Sequence, residues 1–419
     1  MKFSTIRGTR DIFGIDIQKM RFIEKSAQQI FSLYGYEEIR TPIFEETGLF
    51  TRSIGESTDI VEKEIYSFTD KGGRRLTLRP EGTASVVRAY LQDHIHKRQQ
   101  VTRLYYMGPM FRYERPQAGR FREFRQIGAE IFGVNSPSAD AEMILMNLQV
   151  LHCADLKDIS LHINSVGCVS CRADYIKELI YYAKSHLSSL CDNCKKRLTT
   201  NPLRILDCKS KECKTILVQA PHLTEYLDDT CKSNLNQVIS FLENAGVQRK
   251  DITIDPNLVR GLDYYTGVVF EFKSGKLGAQ DAVSAGGRYN RLVEDLGGPS
   301  IPAVGFALGT DRLIMLFPEE LVPAENNRKI FIAVIAEEAH LLAFQTAQKL
   351  RAIGCQVEVE MLDRSIKSQL SYASDKNFTH TVILGEDELT KGYVTLKNMQ
   401  TKTQQQIPSI EALIKTLSM

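Results

Sequence analysis

The chemistry-bearing residues of this 419-residue chain gather in one stretch, Tyr105 to Gly133, YYMGPMFRYERPQAGRFREFRQIGAEIFG. Five arginines, Arg112, Arg115, Arg120, Arg122 and Arg125, surround a short loop that also holds Pro116 and Gly119. Guanidinium groups at that density suit a polyanion such as a triphosphate, because each presents a fixed fork of donors. The runs on either side of the loop read as strands of a hairpin. Side chains alternate along a strand, so Phe124, Gln126, Gly128 and Glu130 fall on one face and Ile127, Ala129 and Ile131 on the other. The apolar face packs on a core. The polar face presents a ring, an amide and a carboxylate across a gap at Gly128, and Met110, Arg112 and Glu114 share a face of the first strand in the same way. Buried polar groups need partners, so Arg112, Glu114, Gln126 and Glu130 on one surface imply a ligand. The stretch is built to hold something phosphorylated together with something that has polar ends.

Other elements must bring further polar groups to that surface. Apolar residues from Asp16 to Tyr34 follow the helical period, and Gly35 is placed to stop the helix. Tyr36 to Glu46 reads as a strand interrupted by Pro42, which points to an edge or a bulge. Thr77 to Gln92, TLRPEGTASVVRAYLQ, reads as strand, turn and helix, with Thr83 as a possible cap and Glu81 presented by the turn. SADAEMILMNLQVL then reads as a helix and SLHINSVG as a strand, before a mainly helical region. Asp255 to Phe272, DPNLVRGLDYYTGVVFEF, begins as a loop carrying Arg260 and Asp263, with Tyr264 and Tyr265 opening a strand. AGGRYNRL follows with a glycine pair that allows close backbone approach and with Tyr289. AVGFALGTDRLIML places glycine-bearing apolar residues ahead of a helix containing Arg312.

The balance of 53 basic and 51 acidic residues leaves a net charge of +2, so any polyanion is held by local patches and not by a global field. The chain has no run of about 18 apolar residues and no apolar stretch near its start of the kind a secretory signal needs, so no membrane association is expected. Nine cysteines, an odd number, fit a reducing cytoplasm better than a disulfide framework. Cys191, Cys194, Cys208 and Cys213 have a C-x2-C-x13-C-x4-C spacing that a zinc site could use, yet LRILDCK reads as ordered core, and no metal site is assigned. Pro318 to Arg328 reads as a linker. Beyond it KIFIAVIAEE, HLLAFQTAQKLRAIG and CQVEVEML alternate strand, helix, strand; HTVILGEDEL and GYVTLKNM add two strands, and EALIKTLSM a closing helix. This is an α/β domain of about 90 residues.

Phe111, Arg112 and Glu114, followed by a loop and then Arg and Phe, resemble motif 2 of the class II aminoacyl-tRNA synthetases, and the longer string resembles their histidyl-tRNA synthetase family. LRPEGT, RGLDYY and GGRY resemble that family's signatures, the Asp16–Glu46 region its motif 1, and the Arg312 stretch its motif 3, with Asp311 where the family more often has Glu. The resemblance implies an α/β protein: an α+β catalytic domain on a mostly antiparallel sheet over residues 1–325, a helical insertion at about 170–250, and an α/β anticodon-binding domain over 328–419. It implies a ligase acting on histidine, ATP with Mg²⁺, and tRNA(His), and a homodimer through motif 1. By the same resemblance Arg260 and Arg112 are catalytic. Glu81, Thr83, Gln126, Glu130, Tyr264, Tyr265 and Tyr289 would hold histidine, and Arg112, Glu114, Arg120, Phe124 and Arg312 would hold ATP. A regulatory relative without charging activity would be expected to lack the ATP-site arginines or the terminal domain; Arg112, Arg260, Arg312 and that domain are present.

Overall fold

The alternation around Glu130 becomes two antiparallel strands, Thr102–Phe111 and Glu123–Phe132, in the computed structural model of the chain, which describes residues 3–56, 58–117, 119–156, 158–208, 210–277, 282–323 and 328–418. Ile127, Ala129 and Ile131 enter a buried apolar cluster with Met20, Ile23, Ala27 and Phe31 of helix Ile15–Leu33, Met143 and Ile144 of helix Pro137–Cys153, and Leu235 and Val238 of helix Asp229–Asn244. An isoleucine side chain stabilises by about 1.5–3 kcal/mol when buried. A one-residue slip would exchange Ile127, Ala129 and Ile131 for Gln126, Gly128 and Glu130, so the register of the strand is firmly set.

Among the described residues this sheet has eight strands, in the order Glu37–Glu38, Thr102–Phe111, Glu123–Phe132, Ala303–Gly309, Ala282–Arg288, Val268–Lys273, Ser160–Ser165 and Ile252–Ile254. The six inner strands pair antiparallel, and the two marginal ones pair in parallel with their neighbours. Helices cover one face. On the opposite face helix Thr83–Gln92 buries Val86, Val87 and Tyr90 beside Leu104 and Tyr106 of strand Thr102–Phe111, next to the cleft described below. The first helix ends as its glycine requires, with Gly35 at φ +75°. Tyr36 to Glu46 is not one interrupted strand. Its two ends belong to different sheets, because Phe44–Glu46 pairs with Arg75–Leu78 in a small three-stranded sheet completed by Tyr66–Thr69.

The region after Ser165 is helical, with helices Val169–Ser185, Asp192–Thr200 and Lys211–Leu217 before Asp229–Asn244. The chain forms two compact units, Met1–Val322 and Pro323–Met419. Residues 324–327 of the linker read from the sequence lie outside the described residues. The second unit has a five-stranded sheet ordered Gln356–Val359, Lys329–Val334, His380–Leu384, Val394–Asn398, Gln404–Ile407, parallel across the first three and antiparallel thereafter. Ile330, Ile332, Val382 and Leu384 pack on Ala343, Ala347 and Leu350 of helix His340–Ala352 and on Leu413 and Leu417 of helix Ile410–Ser418. Strand Gln404–Ile407 and helix Ile366–Asp375 carry little sequence signal. The strand is an exposed edge of glutamines, and the helix buries Gln369, whose amide closes two hydrogen bonds with the Val334 backbone at 3.0 and 2.7 Å.

Candidate active site

The polar face of strand Glu123–Phe132 floors a cleft walled by the turn before helix Thr83–Gln92, the 260–265 loop, and strands Ala282–Arg288 and Ala303–Gly309. Glu81, Thr83, Arg112, Glu114, Arg120, Phe124, Gln126, Arg260, Tyr264, Tyr265, Tyr289 and Arg312 all line it. Glu130 lies one layer beneath, 1% exposed. Its Oε1 accepts from the Thr83 hydroxyl at 2.7 Å and its Oε2 from the Tyr289 hydroxyl at 2.5 Å. Residue 305, directly opposite Glu130 in the neighbouring strand, is a glycine, and a Cβ there would run into Glu130 Oε2. Two oxygens carry about four acceptor sites, so the carboxylate can still accept from a ligand.

Burial pushes the Glu130 carboxyl up to about 8, and the hydroxyls of Tyr289 and Thr83 offset only part of that. Unfolded, the same group loses its proton in the ordinary carboxylate range. The folded state therefore binds more protons between those limits. The stability this gives is full below the unfolded value and lost as pH rises through about 8. The ligand-free protein should thus lose on the order of a few kcal/mol from this group between about pH 5.5 and about pH 8.5, a loss absent in Glu130→Gln. Denaturation curves of both proteins at the two pH values check this; equal slopes with pH would refute it.

Glu81 takes the backbone N–H groups of Thr83 and Ala84 at 2.6 and 2.9 Å, although burial still raises its carboxyl. Glu81, not Thr83, therefore caps the helix, and Thr83 is its first residue with its hydroxyl turned to Glu130. Gln126 lines the cleft, and its Oε1 is buried with no hydrogen-bond partner among the described residues.

The other end of the cleft is cationic. Arg112 donates from Nε to the Pro80 carbonyl at 2.8 Å and lies 5.3 Å from the Phe124 ring centroid. Glu114 sits between Arg112, at 3.8 Å, and Arg120, with which it is in close contact. Arg260 pairs closely with Glu271, which also has Lys273 at 3.8 Å. Arg312 donates to the Ala282 carbonyl, and its charged form is disfavoured by burial and by neighbouring Arg120. Arg112, Arg120, Arg260 and Arg312 thus bring four guanidinium groups to one end of the cleft.

Several sequence expectations need correction. The first hairpin strand ends at Phe111, so period-2 alternation does not carry Arg112 and Glu114; a tight turn with Glu114 N–H donating to the Arg112 carbonyl at 2.7 Å turns both toward the cleft. Met110 is instead fully buried in the core. The arginine ring is incomplete: Arg115 is exposed and outside the cleft lining, and Arg122 stacks 3.9 Å over Tyr113. The gap at Gly128 is filled by the Tyr106 ring, which a Cβ would strike. Tyr264 and Tyr265 precede their strand, which begins at Val268.

Sequence reasoning also missed the struts. Asp311 accepts from Arg10 at 2.8 Å and from the Arg125 backbone N–H at 2.7 Å, fastening the motif 3-like helix to the hairpin. Arg288 of GGRY is buried on Asp140, with Nη2 2.5 Å from Oδ2, so half of that signature is structural. Glu271 was the one acid between Phe270 and Phe272, a polar break in an apolar strand that could have announced a partner. The four spaced cysteines, given no metal role above, have their Sγ atoms within 4.8 Å of one another.

A mostly antiparallel sheet flanked by helices, with the motif 2-like hairpin among its strands and the motif 3-like helix following strand Ala303–Gly309, defines a class II aminoacyl-tRNA synthetase fold. The family model described as histidyl-tRNA synthetase matches residues 8–313, and the model described as anticodon binding domain matches 329–418. A Halothermothrix orenii protein named histidine–tRNA ligase is 50% identical over 96% of each chain, and a Desulforamulus reducens protein of the same name is 46% identical over 97% of each. The apo histidyl-tRNA synthetase of S. aureus superposes with a TM-score of 0.82 at 36% identity over 100% of both chains. The chain belongs to the histidyl-tRNA synthetase family.

Proposed function

We propose that the chain is a histidine–tRNA ligase whose cleft performs amino-acid activation. A carboxylate oxygen of histidine attacks the α-phosphorus of ATP, the bond from that phosphorus to the α–β bridging oxygen breaks, and pyrophosphate leaves. The 3′-hydroxyl of the terminal ribose of tRNA(His) then attacks the histidyl carbonyl and AMP departs. Such chemistry needs positioning and charge neutralisation more than covalent help. Arg112 and Arg260 would meet the α-phosphate and the substrate carboxylate, where charge accumulates. Arg120 and Arg312 would meet the outer phosphates, Phe124 would stack on adenine and Glu114 would read its edge. ATP would enter as its Mg²⁺ complex, the ion adding charge neutralisation at the phosphates.

At the other end, Glu81, Thr83 and Gln126 would hold the ammonium group. Glu130 would accept from one imidazole nitrogen and Tyr265 donate to the other, with Tyr264 and Tyr289 closing the pocket. Matching of this kind rejects amino acids lacking both ring nitrogens by about 10⁴-fold, because buried partners would be stranded. The observation that carries this reading is the buried Thr83–Glu130–Tyr289 cluster at one end of a cleft whose other end is lined by Arg112, Arg120, Arg260 and Arg312.

The unit beyond Pro323, set off from a catalytic unit ending near 325, is proposed to contact the anticodon region of tRNA(His). Apolar side chains exposed on the first unit, Phe13 at 79% and Leu33 at 83% among them, support a homodimer through this region. Nine cysteines free of disulfides support a cytoplasmic setting, and among the described residues no helix is long and apolar enough to cross a membrane. Amino-acid-dependent ATP–pyrophosphate exchange, run with each of the twenty amino acids and Mg²⁺, tests the reading. Exchange with histidine alone is expected, and silence with all twenty from folded protein would overturn it.

A further inference from the structure

We propose that Cys191, Cys194, Cys208 and Cys213 form a structural zinc site that fixes the helical region against the cleft. The four Sγ atoms come from three separate elements and converge within 4.8 Å. Cys191 is the N-cap of helix Asp192–Thr200 and Cys194 lies in its first turn. Cys208 follows the turn Pro202–Ile205, and Cys213 lies in helix Lys211–Leu217. A tetrahedral tetrathiolate with bonds of about 2.3 Å places its sulfurs about 3.8 Å apart. Cys191 and Cys208 stand at 3.8 Å, far beyond a disulfide bond of about 2.0 Å. The Cys191 backbone N–H donates to Cys213 Sγ at 3.2 Å, the contact that stabilises a thiolate.

The surroundings suit a closed site for one small ion. Cys194, Cys208 and Cys213 are buried among Leu190, Leu198, Ile205 and Leu217, which leave no open coordination position. A multi-iron cluster would hold its thiolates on separate irons, further apart than these. The segment 191–213 carries six basic and three acidic residues, an excess that offsets the double negative charge of a zinc tetrathiolate. The same segment reaches the cleft. Asn201 donates to Asp263 Oδ1 at 2.6 Å, next to Tyr264, and Arg197 pairs with Asp59 at 2.6 Å.

A second convergence, Cys168, Cys171, Asp228 and Cys231, serves as the control. There the carboxylate is exposed and already caps a helix by accepting from the Cys231 N–H at 2.7 Å. The full-length protein, purified without chelator, is expected to hold zinc by elemental analysis. Cobalt exchanged into it should give the visible d–d bands and near-ultraviolet sulfur-to-cobalt band of a tetrahedral tetrathiolate. Cys194→Ser/Cys208→Ser should lose one zinc per chain, while Cys168→Ser/Cys171→Ser should retain it. Cobalt spectra of the unmutated chain do not depend on any variant folding. Their lack of thiolate bands, absence of zinc from the purified protein, or unchanged zinc in Cys194→Ser/Cys208→Ser would each overturn the proposal.

Discussion

Arg260→Ala is expected to lower the kcat of histidine-dependent ATP–pyrophosphate exchange by about 10²–10³-fold, equivalent to about 2.7–4 kcal/mol of transition-state stabilisation. The reason lies in where charge moves. As the carboxylate attacks, negative charge grows on the non-bridging oxygens of the α-phosphate, and a guanidinium held beforehand stabilises it without reorganising. Arg260 is held beforehand by Glu271 on strand Val268–Lys273, and it lines the cleft together with Arg112. An interaction made mainly in the transition state lowers kcat and leaves the KM values for ATP and histidine within a few-fold. Removing Arg260 also strips Glu271 of its nearer partner, although Lys273 remains at 3.8 Å. Thermal denaturation of the variant therefore has to accompany the kinetics. A folded Arg260→Ala protein exchanging at near-normal rate would remove Arg260 from the chemistry.

The second large effect is expected at the opposite end. Glu130→Ala should raise the KM for histidine by at least about 10²-fold, or abolish activation, with the KM for ATP little changed. The substitution deletes the acceptor for the ring N–H and also strands the hydroxyls of Thr83 and Tyr289, which now donate to it. Stranded buried donors cost about 1–3 kcal/mol each. Gly305 cannot fill the space, having no side chain. Glu130→Gln keeps the shape and one acceptor oxygen but replaces the other with a donor, so its KM should fall between those of Glu130→Ala and the unmutated chain. Steady-state exchange at varied histidine reads all three, and a normal histidine KM in Glu130→Ala would sink the pocket assignment.

What the sequence by itself determined was set by short-range rules. The alternation from Phe124 to Ile131 fixed which face is buried, because burying Ile127, Ala129 and Ile131 outweighs any competing register. The helical period and Gly35 set the first helix to within a residue of its observed bounds. The strings LRPEGT, RGLDYY and GGRY carried the family resemblance and named the side chains that line the cleft. The tertiary structure alone decided what those side chains do to one another. Glu81 rather than Thr83 became the helix cap, and Thr83 turned to a carboxylate 47 residues away. Arg115 was left outside while Arg260, 148 positions beyond Arg112, was brought into the same cleft. Arg288 proved to be a strut on Asp140, and the four cysteines converged from three elements. No local pattern encodes such pairs. Each partner satisfies a buried charge or hydrogen bond supplied by a distant segment, and only the packed chain specifies which segment that is.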